Sequence, residues 1–272
     1  MKFYIRIQII LVFVCLLFFT IATQAQKSAP PEERKFKTPL SRFWINTYGN
    51  IRLTDKLFWV AQTHFRFQES NTIKFAGQVA QVYNRHALSY FYSKKFRVSL
   101  GGVLRLNFNT NEILSEEQSM VPEWRIWHEY LFALPLSRFM VYHRLRIEHR
   151  WTRGFQKNSP FIFRNRWRYM LNVKIPINKP KLAPGAFYIA PEAELIMQSG
   201  QPIIESPMED LRLHTSLGYI LKPQLTIATG LMYSTGQELT DGALYNRKWT
   251  IRFHVYFSPD FRKLENRLPA VN

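Results

Sequence analysis

The segment from Phe96 to Phe108 alternates strictly between two faces of different chemistry. One face is apolar throughout and consists of Phe96, Val98, Leu100, Gly102, Leu104, Leu106 and Phe108. The other is mostly polar and consists of Arg97, Ser99, Gly101, Val103, Arg105 and Asn107. A period of two predicts an extended strand between two different environments. Because the apolar face is aliphatic in the middle and aromatic at both ends, the pattern is typical of a strand that crosses a bilayer.

The same alternation recurs along most of the chain, and no stretch has a convincing helical period. We expect strands near 41–53, 56–68, 77–92, 96–108, 122–134, 138–152, 161–175, 186–198, 208–221, 224–235 and 244–257. The connections alternate between short turns and longer polar loops, as in barrels with short periplasmic turns and long outer loops. The sequence therefore predicts an all-β fold, an antiparallel transmembrane β-barrel of about 10–12 strands with meander topology.

Eleven expected strands raise a question of parity, since bacterial single-chain barrels have even numbers of strands. Either a further strand lies near Arg34 to Pro39, or one segment is wrongly divided or merged. The connection from Pro176 to Gly185 is also long where a short turn is due. The last strand, which ends at Phe257, must pair with the first to leave no open edge.

Alternation alone does not decide which face forms the interior, since a soluble barrel buries its apolar face. The expected strands are longer than the mean of ~5–6 residues in soluble sheets, and aromatic residues gather at their ends. The expected outer faces of 96–108, 139–151 and 161–175 carry no Asp, Glu, Lys or Arg. Such absence fits lipid, where a charge at midplane costs roughly 2–4 kcal/mol. His128 and His143 also fall on the expected outer faces. Either they are neutral there, or the inward and outward positions are slightly wrongly assigned.

The first residues predict an export signal. Lys2 and Arg6 make a basic start, an apolar stretch follows, and Thr23-Gln24-Ala25 offers small residues at a cleavage point. The apolar stretch is shorter than the ~20 residues of a membrane-spanning helix. We expect a signal peptide at 1–25, a linker or periplasmic lead-in at 26–40, the barrel at 41–257 and a periplasmic tail at 258–272.

Cysteine usage and charge indicate the compartment and the partners. Cys15, the only cysteine, lies in the expected signal, which suits export through an oxidising periplasm. Loss of Lys2 and Arg6 lowers the formal net charge from +18 to +16. Since the basic residues fall on strand faces, we expect no nucleic acid as a partner. The expected partners are outer-membrane lipid, lipopolysaccharide and the barrel-assembly machinery, in the bacterial outer membrane.

The hairpin at Pro135 to Arg138 predicts a register in which Leu134 opposes Phe139. The pairs that follow are Glu129–Arg144, Trp127–Arg146, Arg125–Glu148 and Glu123–Arg150. Three pairs of opposite charge favour this register, because a one-residue slip would move the side chains of one strand to the other face of the sheet. The expected lumen charge network comprises Glu123, Arg125, Glu129, Arg144, Arg146, Glu148, Arg150, Arg164, Arg166, Arg168, Glu192 and Glu194.

Such a network has a structural and a functional interpretation. A satisfied Arg–Glu ladder fills a narrow lumen and braces the wall, and the planar fork of arginine suits carboxylates. Alternatively, the interior binds or conducts anions, because the inward faces from Arg97 to Arg212 hold eleven basic residues against six acidic ones.

Catalytic motifs are scarce. The chain has no H-E-x-x-H, no G-x-S-x-G, no glycine-rich phosphate loop and no zinc-ligand spacing. The nearest candidate is Asp210-x-Arg212-x-His214-x-Ser216, whose side chains share a face that we expect to point inward, away from any lipid substrate. Loop residues Glu112, Glu116 and Glu117 could meet a divalent cation or simply be solvated. We expect no cofactor and no metal site.

Several segments resemble a known family. These are Arg42-Phe43-Trp44-Ile45-Asn46, Leu53-Thr54-Asp55-Lys56-Leu57-Phe58-Trp59, Arg144-Leu145-Arg146-Ile147-Glu148-His149-Arg150 and Gly218-Tyr219. Together they resemble the bacterial family called domain of unknown function 2490, over nearly the whole mature chain. The R-x-R-x-E-x-R core is the most specific part. The resemblance implies an outer-membrane barrel of Gram-negative cells with no established activity and no catalytic residues.

The leading interpretation is a non-enzymatic integral outer-membrane barrel, either structural or a narrow anion-preferring pore with an Arg/Glu-lined lumen. One alternative is an outer-membrane lipid-modifying hydrolase that uses His214 and Ser216. Another is a soluble periplasmic ligand-binding barrel with an apolar interior. Whether Leu100 and Leu104 point outward or inward distinguishes the leading interpretation from the soluble barrel with an apolar interior.

Overall fold

The computed structural model describes residues 35–111, 113–200, 208–238, 241 and 243–262. The regular elements of this part are β1 (Lys35–Phe36), β2 (Leu40–Arg52), β3 (Leu57–Gln68), β4 (Gln78–Ser93), β5 (Phe96–Phe108), β6 (Met120–Leu136), β7 (Phe139–Thr152), β8 (Ile162–Pro176), β9 (Phe187–Ser199), β10 (Met208–Lys222), β11 (Leu225–Gln237) and β12 (Leu244–Phe257). The described residues contain no helix long and apolar enough to cross a membrane. Outside them lie the predicted signal peptide, residues 26–34 of the lead-in, Glu112 and residues 263–272 of the tail.

Strands β2 to β12 form an antiparallel meander in which each strand pairs with the next along the chain. Strand β12 then pairs with β2 in parallel, from Lys248 opposite Leu40 to Phe257 opposite Gly49, and so closes the barrel. The parallel closure follows from the odd number of strands, because the first and eleventh strands of an up-and-down meander run in the same direction. The predicted all-β barrel with meander topology is confirmed, with this one parallel pairing.

The short strand β1 decides whether the wall has a twelfth strand. Lys35 and Phe36 pair with Leu244 and Tyr245 of β12, along the same edge that β2 uses. Strand β1 is therefore an extension of β2, interrupted at 37–39, and not a twelfth strand of the wall.

The two ends of the barrel differ in their connections. One end, here called the short-turn end, carries the connections 53–56, 94–95, 137–138, 177–186 and 223–224 together with the exit of β12. The other, the long-loop end, is where β3 connects to β4, β5 to β6, β7 to β8, β9 to β10 and β11 to β12, and where β2 begins. The long connection expected from Pro176 to Gly185 is present at the short-turn end. The odd strand count thus places the start and the end of the wall at opposite ends.

The apolar faces of the strands point outward. Leu100 is 61% exposed, whereas its neighbour Ser99 and the inward-facing Val103 are 2% and 4% exposed. Leu88 and Ile126, at 56% and 53%, continue the apolar outer wall on the neighbouring strands. This arrangement contradicts the alternative of an apolar interior, because the charged faces of the same strands turn into the barrel.

The predicted register of the β6–β7 hairpin is wrong by two residues. Leu136, not Leu134, opposes Phe139, so that the turn consists of Ser137 and Arg138 alone. Ser137 adopts a positive φ of 50°, which lets the chain reverse within two residues. A two-residue shift keeps every side chain on its predicted face.

The first residues after β12 hold the short-turn end together. Arg52 donates its amide to Pro259 O at 2.9 Å and accepts at its carbonyl from the amide of Phe261, also at 2.9 Å. Arg262 donates to both Asp260 and Asp55. The tail residues that follow Phe257 therefore clamp the turn between β2 and β3.

Truncation after Arg262 should leave the stability of the barrel unchanged, whereas truncation after Ser258 should lower its free energy of unfolding by about 1–3 kcal/mol. The second change removes two backbone hydrogen bonds, each with a net contribution of roughly 0.5–1.5 kcal/mol. Urea unfolding in detergent, with both truncations side by side, measures the difference. Equal stability of the two truncated forms would show that the clamp contributes nothing.

The clamp should also be insensitive to pH over the physiological range. Hydrogen bonds from Arg262 lower the pKa of Asp260 from 3.8 to about 2. A depressed carboxyl pKa means that the stabilisation is complete above pH 4 and is lost only as the pH falls through about 2.

Candidate functional site in the barrel interior

The interior of the barrel is filled by charged side chains. The structure places all twelve residues of the predicted network on inward faces. Nine of them are buried, namely Glu123, Arg125, Glu129, Arg146, Glu148, Arg150, Arg166, Arg168 and Glu194. Trp127, at 1% exposure, packs among them. The middle of the lumen is thus occupied by protein.

Glu148, on β7, is the centre of this network and is 0% exposed. Its carboxylate accepts hydrogen bonds from Arg125 at 2.7 Å, from Arg168 at 2.9 Å and from Arg166 at 3.4 Å. Arg85 of β4, three strands away along the wall, approaches it to 4.0 Å. One carboxylate therefore connects four strands across the interior.

Glu123 and Glu129, both on β6, form two further nodes. Glu123 lies 2.9 Å from Arg105 and accepts hydrogen bonds from Arg125 at 2.6 Å and from Arg150 at 3.0 Å. Glu129 accepts from Arg97 at 3.1 Å and from two nitrogens of Arg146.

Glu194, on β9, closes the network on the far side. It accepts hydrogen bonds from Arg144 at 2.6 Å, from Arg168 at 2.8 Å and from Arg212 at 3.4 Å. Because most of these carboxylates bind arginines from more than one strand, the network braces the wall in several directions.

The wrong register did not abolish the predicted contacts. Arg125 still reaches Glu148 at 2.7 Å and Arg150 reaches Glu123 at 3.0 Å, while Arg144 lies 3.8 Å from Glu129. Arg146 lies over the ring of Trp127, 4.6 Å from its centre. These contacts run diagonally across the two strands, since an arginine side chain spans the distance to the next-but-one residue.

Glu209 is a further network residue that the predicted set lacks. It binds Arg166 through two oxygens and lies 3.3 Å from Arg150. Its position has the parity of the outward face of β10, but the register shifts between Met208 and Asp210. The bulge turns Glu209 inward, and alternation alone could not reveal it.

The interior also contains a histidine and aromatic cluster. The ring of His254 lies 5.6 Å from that of His214 and 5.7 Å from that of Tyr48, which in turn lies 5.1 Å from His64. Both ring nitrogens of each histidine lack a hydrogen-bond partner in the described part of the chain.

This geometry does not assemble a catalytic triad from the predicted candidates. Asp210 accepts a hydrogen bond from Arg212 at 2.7 Å instead of serving His214. His214 and Ser216 are both buried on the inward face and are not hydrogen-bonded to each other. A nucleophile needs such a bond to its base.

The acidic residues of the candidate cation loop are likewise engaged, by Asn109 at the start of the loop and by the neighbouring loop after β7. Glu117 accepts hydrogen bonds from Asn109 at 2.9 Å and from Gln156 at 3.0 Å, and the exposed Glu116 lies 3.9 Å from Lys157. Across the described ranges, no group of three or more His, Cys, Asp or Glu residues is arranged to hold a metal ion.

The two histidines predicted on the outer wall do lie there. His143 is hydrogen-bonded through Nδ1 to the hydroxyl of Tyr169 at 2.7 Å. The ring of His128 lies 5.8 Å from that of His149, which is hydrogen-bonded to Asn165 at 2.7 Å. The sequence therefore assigned these two histidines to the correct face.

At the short-turn end, the interior opens into a cavity of about 480 Å³. It is lined by residues of several turns and of the tail clamp, among them Arg52, Arg97 and Asp260. The cavity ends where the network begins, since Arg97 also binds Glu129.

Comparison with known proteins identifies the family. A family described as "Protein of unknown function (DUF2490)" matches residues 41–244, three quarters of the chain. The chain belongs to the DUF2490 family. The match runs from the start of β2 to the first residue of β12, so the DUF2490 region and the barrel nearly coincide. A search of curated proteins found no match.

Proposed function

We propose that this DUF2490 protein is an integral β-barrel of the bacterial outer membrane whose lumen is closed by an Arg/Glu network. The observation that carries the proposal is the inverted distribution of side chains. Leu100 is 61% exposed on the outer wall, while Glu148 at the centre is 0% exposed. An apolar outer wall of this kind is unfavourable in contact with water and favourable in contact with lipid.

The ends of the strands support the same location. Trp124, Phe139 and Phe257, at or near strand ends, are 51%, 44% and 51% exposed. Aromatic rings at both ends of an apolar wall are typical of the two membrane interfaces. The proposed partners are outer-membrane lipid and lipopolysaccharide along the wall, and the barrel-assembly machinery during insertion of a chain whose signal peptide has been removed.

Membrane fractionation tests this location. The protein should stay with outer membranes through carbonate washing and should migrate faster in gel electrophoresis unboiled than boiled, because a closed barrel remains compact in detergent. Recovery in the soluble periplasmic fraction would contradict the proposal.

A narrow anion-preferring pore is the second candidate, favoured by the surplus of arginine over carboxylate in the lumen. The structure makes a closed barrel the better-supported candidate, because Trp127, Glu148 and Arg146 fill the middle at 1%, 0% and 4% exposure. Refolded protein in planar bilayers should therefore show no steady conductance. A stable, anion-selective current would favour the pore instead.

A further inference from the structure

Five cations on the inward faces have no carboxylate within 4.0 Å among the residues that the structure describes: Arg42, Arg66, Arg164, Lys174 and Lys248. Arg164 donates a hydrogen bond to Thr152 at 2.9 Å, and Lys174 lies near three tyrosine rings. The remaining lumen arginines described above bind one or more carboxylates. Nε of Arg42 and Nε of Arg66 are also buried without a hydrogen-bond partner in the described chain. A cation in a barrel interior without a direct counter-ion is costly, and Arg42, Arg66 and Lys248 are the three that lie close together.

The three cations lie next to one another on adjacent strands. Arg42 of β2 faces Thr250 of β12, two residues from Lys248, and faces Gln68 of β3, two residues from Arg66. All of these share the inward face. Arg42 is thus a diagonal neighbour of both other cations.

Arg66 is held in a fixed position by two aromatic rings. Its guanidinium lies 3.8 Å from the centre of the Trp44 ring and 4.1 Å from that of Tyr83. It donates to Tyr83 Oη at 2.9 Å and to Gln81 Oε1 at 3.3 Å. Stacking of this kind orients the planar donor group without neutralising its charge.

Further arginines surround the same two rings. The guanidinium of Arg212 lies 5.7 Å from the centre of the Trp44 ring, and that of Arg105 lies 5.2 Å from that of Tyr83. These two arginines already bind Asp210 and Glu123, at 2.7 Å and 2.9 Å. We call Arg42, Arg66, Arg105, Arg212 and Lys248 the loop-end cation cluster.

The position of the cluster indicates how a ligand would reach it. Each member lies within five residues of the long-loop end of its strand. Because β2 and β12 close the wall, a ligand cannot enter sideways between the strands, and the nearer end of the barrel is the long-loop end. The ligand is therefore a soluble anion.

We propose that the loop-end cation cluster binds a soluble phosphate-type oxyanion. Several arginine forks and one lysine suit the multiple oxygens and multiple charges of such a ligand better than a monovalent halide. The proposal requires only the barrel interior and stands independently of the outer-membrane location.

Thermal unfolding of the refolded full-length barrel in a non-ionic detergent tests the site. Sodium phosphate should raise the unfolding temperature saturably, beyond the effect of sodium chloride at equal ionic strength. Equal effects of the two salts would overturn the proposal. A short-chain phosphatidylglycerol, titrated in parallel, carries the phosphate on a lipid, and stabilisation by this lipid without stabilisation by inorganic phosphate would also overturn it.

A set of four variants separates a ligand site from a structural one. The double variant Arg42→Gln/Lys248→Gln should unfold in chloride at the temperature of the unchanged protein or above, since neither side chain has a carboxylate within 4.0 Å, and it should lose the phosphate response. Lys248→Arg should keep the response. Lys94→Gln, in the exposed β4–β5 turn, is the control for loss of a positive charge and should also keep it. If the double variant does not refold, Lys248→Gln alone should still weaken the response. An undiminished response in Lys248→Gln and in a folded double variant would overturn the proposal.

Discussion

Replacing Glu148 with glutamine should lower the free energy of unfolding of the barrel by about 3–5 kcal/mol, the range for loss of one partner from a buried ion pair. Glutamine keeps the shape of the side chain but removes its charge. Arg125, Arg166 and Arg168, which approach Glu148 to 2.7, 3.4 and 2.9 Å, then lose a shared counter-ion. Because Glu148 is 0% exposed, water cannot take its place.

Glu116→Gln is the matched control. The side chain of Glu116 is 76% exposed and lies 3.9 Å from Lys157 in a loop. The same change of chemistry should alter stability there by less than about 1 kcal/mol. Urea unfolding of both variants in the same detergent measures the difference. Equal stability of the two variants would contradict the role given to the network.

Leu100→Arg should reduce the stability of the barrel in lipid vesicles by roughly 2–4 kcal/mol, as expected for a cation on the lipid face near the midplane. Leu100 lies close to the middle of β5 and is 61% exposed on the outer wall. The guanidinium must therefore enter hydrocarbon or draw water into it.

Leu136→Arg provides the control for depth. Leu136 is exposed to a similar degree, 55%, but is the last residue of β6 beside the short turn. Near the interface the cost should fall to about 0–1 kcal/mol. If the outer wall faced water instead, both variants should have a free energy of unfolding within about 0.5 kcal/mol of that of the unchanged protein. Refolding into vesicles followed by urea unfolding distinguishes the two results.

Alternation made the strands and their faces predictable from the sequence. The segment from Phe96 to Phe108 appears in the structure with the predicted bounds and the predicted inward and outward residues. The contact between Arg125 and Glu148 was also predictable, because side-chain direction depends only on parity and arginine tolerates a two-residue error in register.

Backbone irregularities and long-range pairings were not predictable in the same way. The left-handed conformation of Ser137 has no strong signal in its residue type, and the two-residue turn that contains it lies two residues from the predicted register. The bulge at Glu209 reversed a parity that the pattern of its neighbours had implied. The participation of Arg85 depends on how close β4 and β7 come to each other across the lumen. Alternation carries no information on the distance between strands that are not neighbours.

The direction of side chains on β5 in a native-like membrane tests the central claim most directly. Cys15 lies in the expected signal, so single cysteines can be introduced along residues 97–106 and labelled with nitroxide after refolding into lipid vesicles. Spin relaxation by oxygen, which concentrates in hydrocarbon, should be high at positions 98, 100, 104 and 106 and low at 97, 99, 103 and 105. A uniform pattern, or strong relaxation at 98 and 100 by a water-soluble nickel complex in place of oxygen, would contradict a lipid-facing wall.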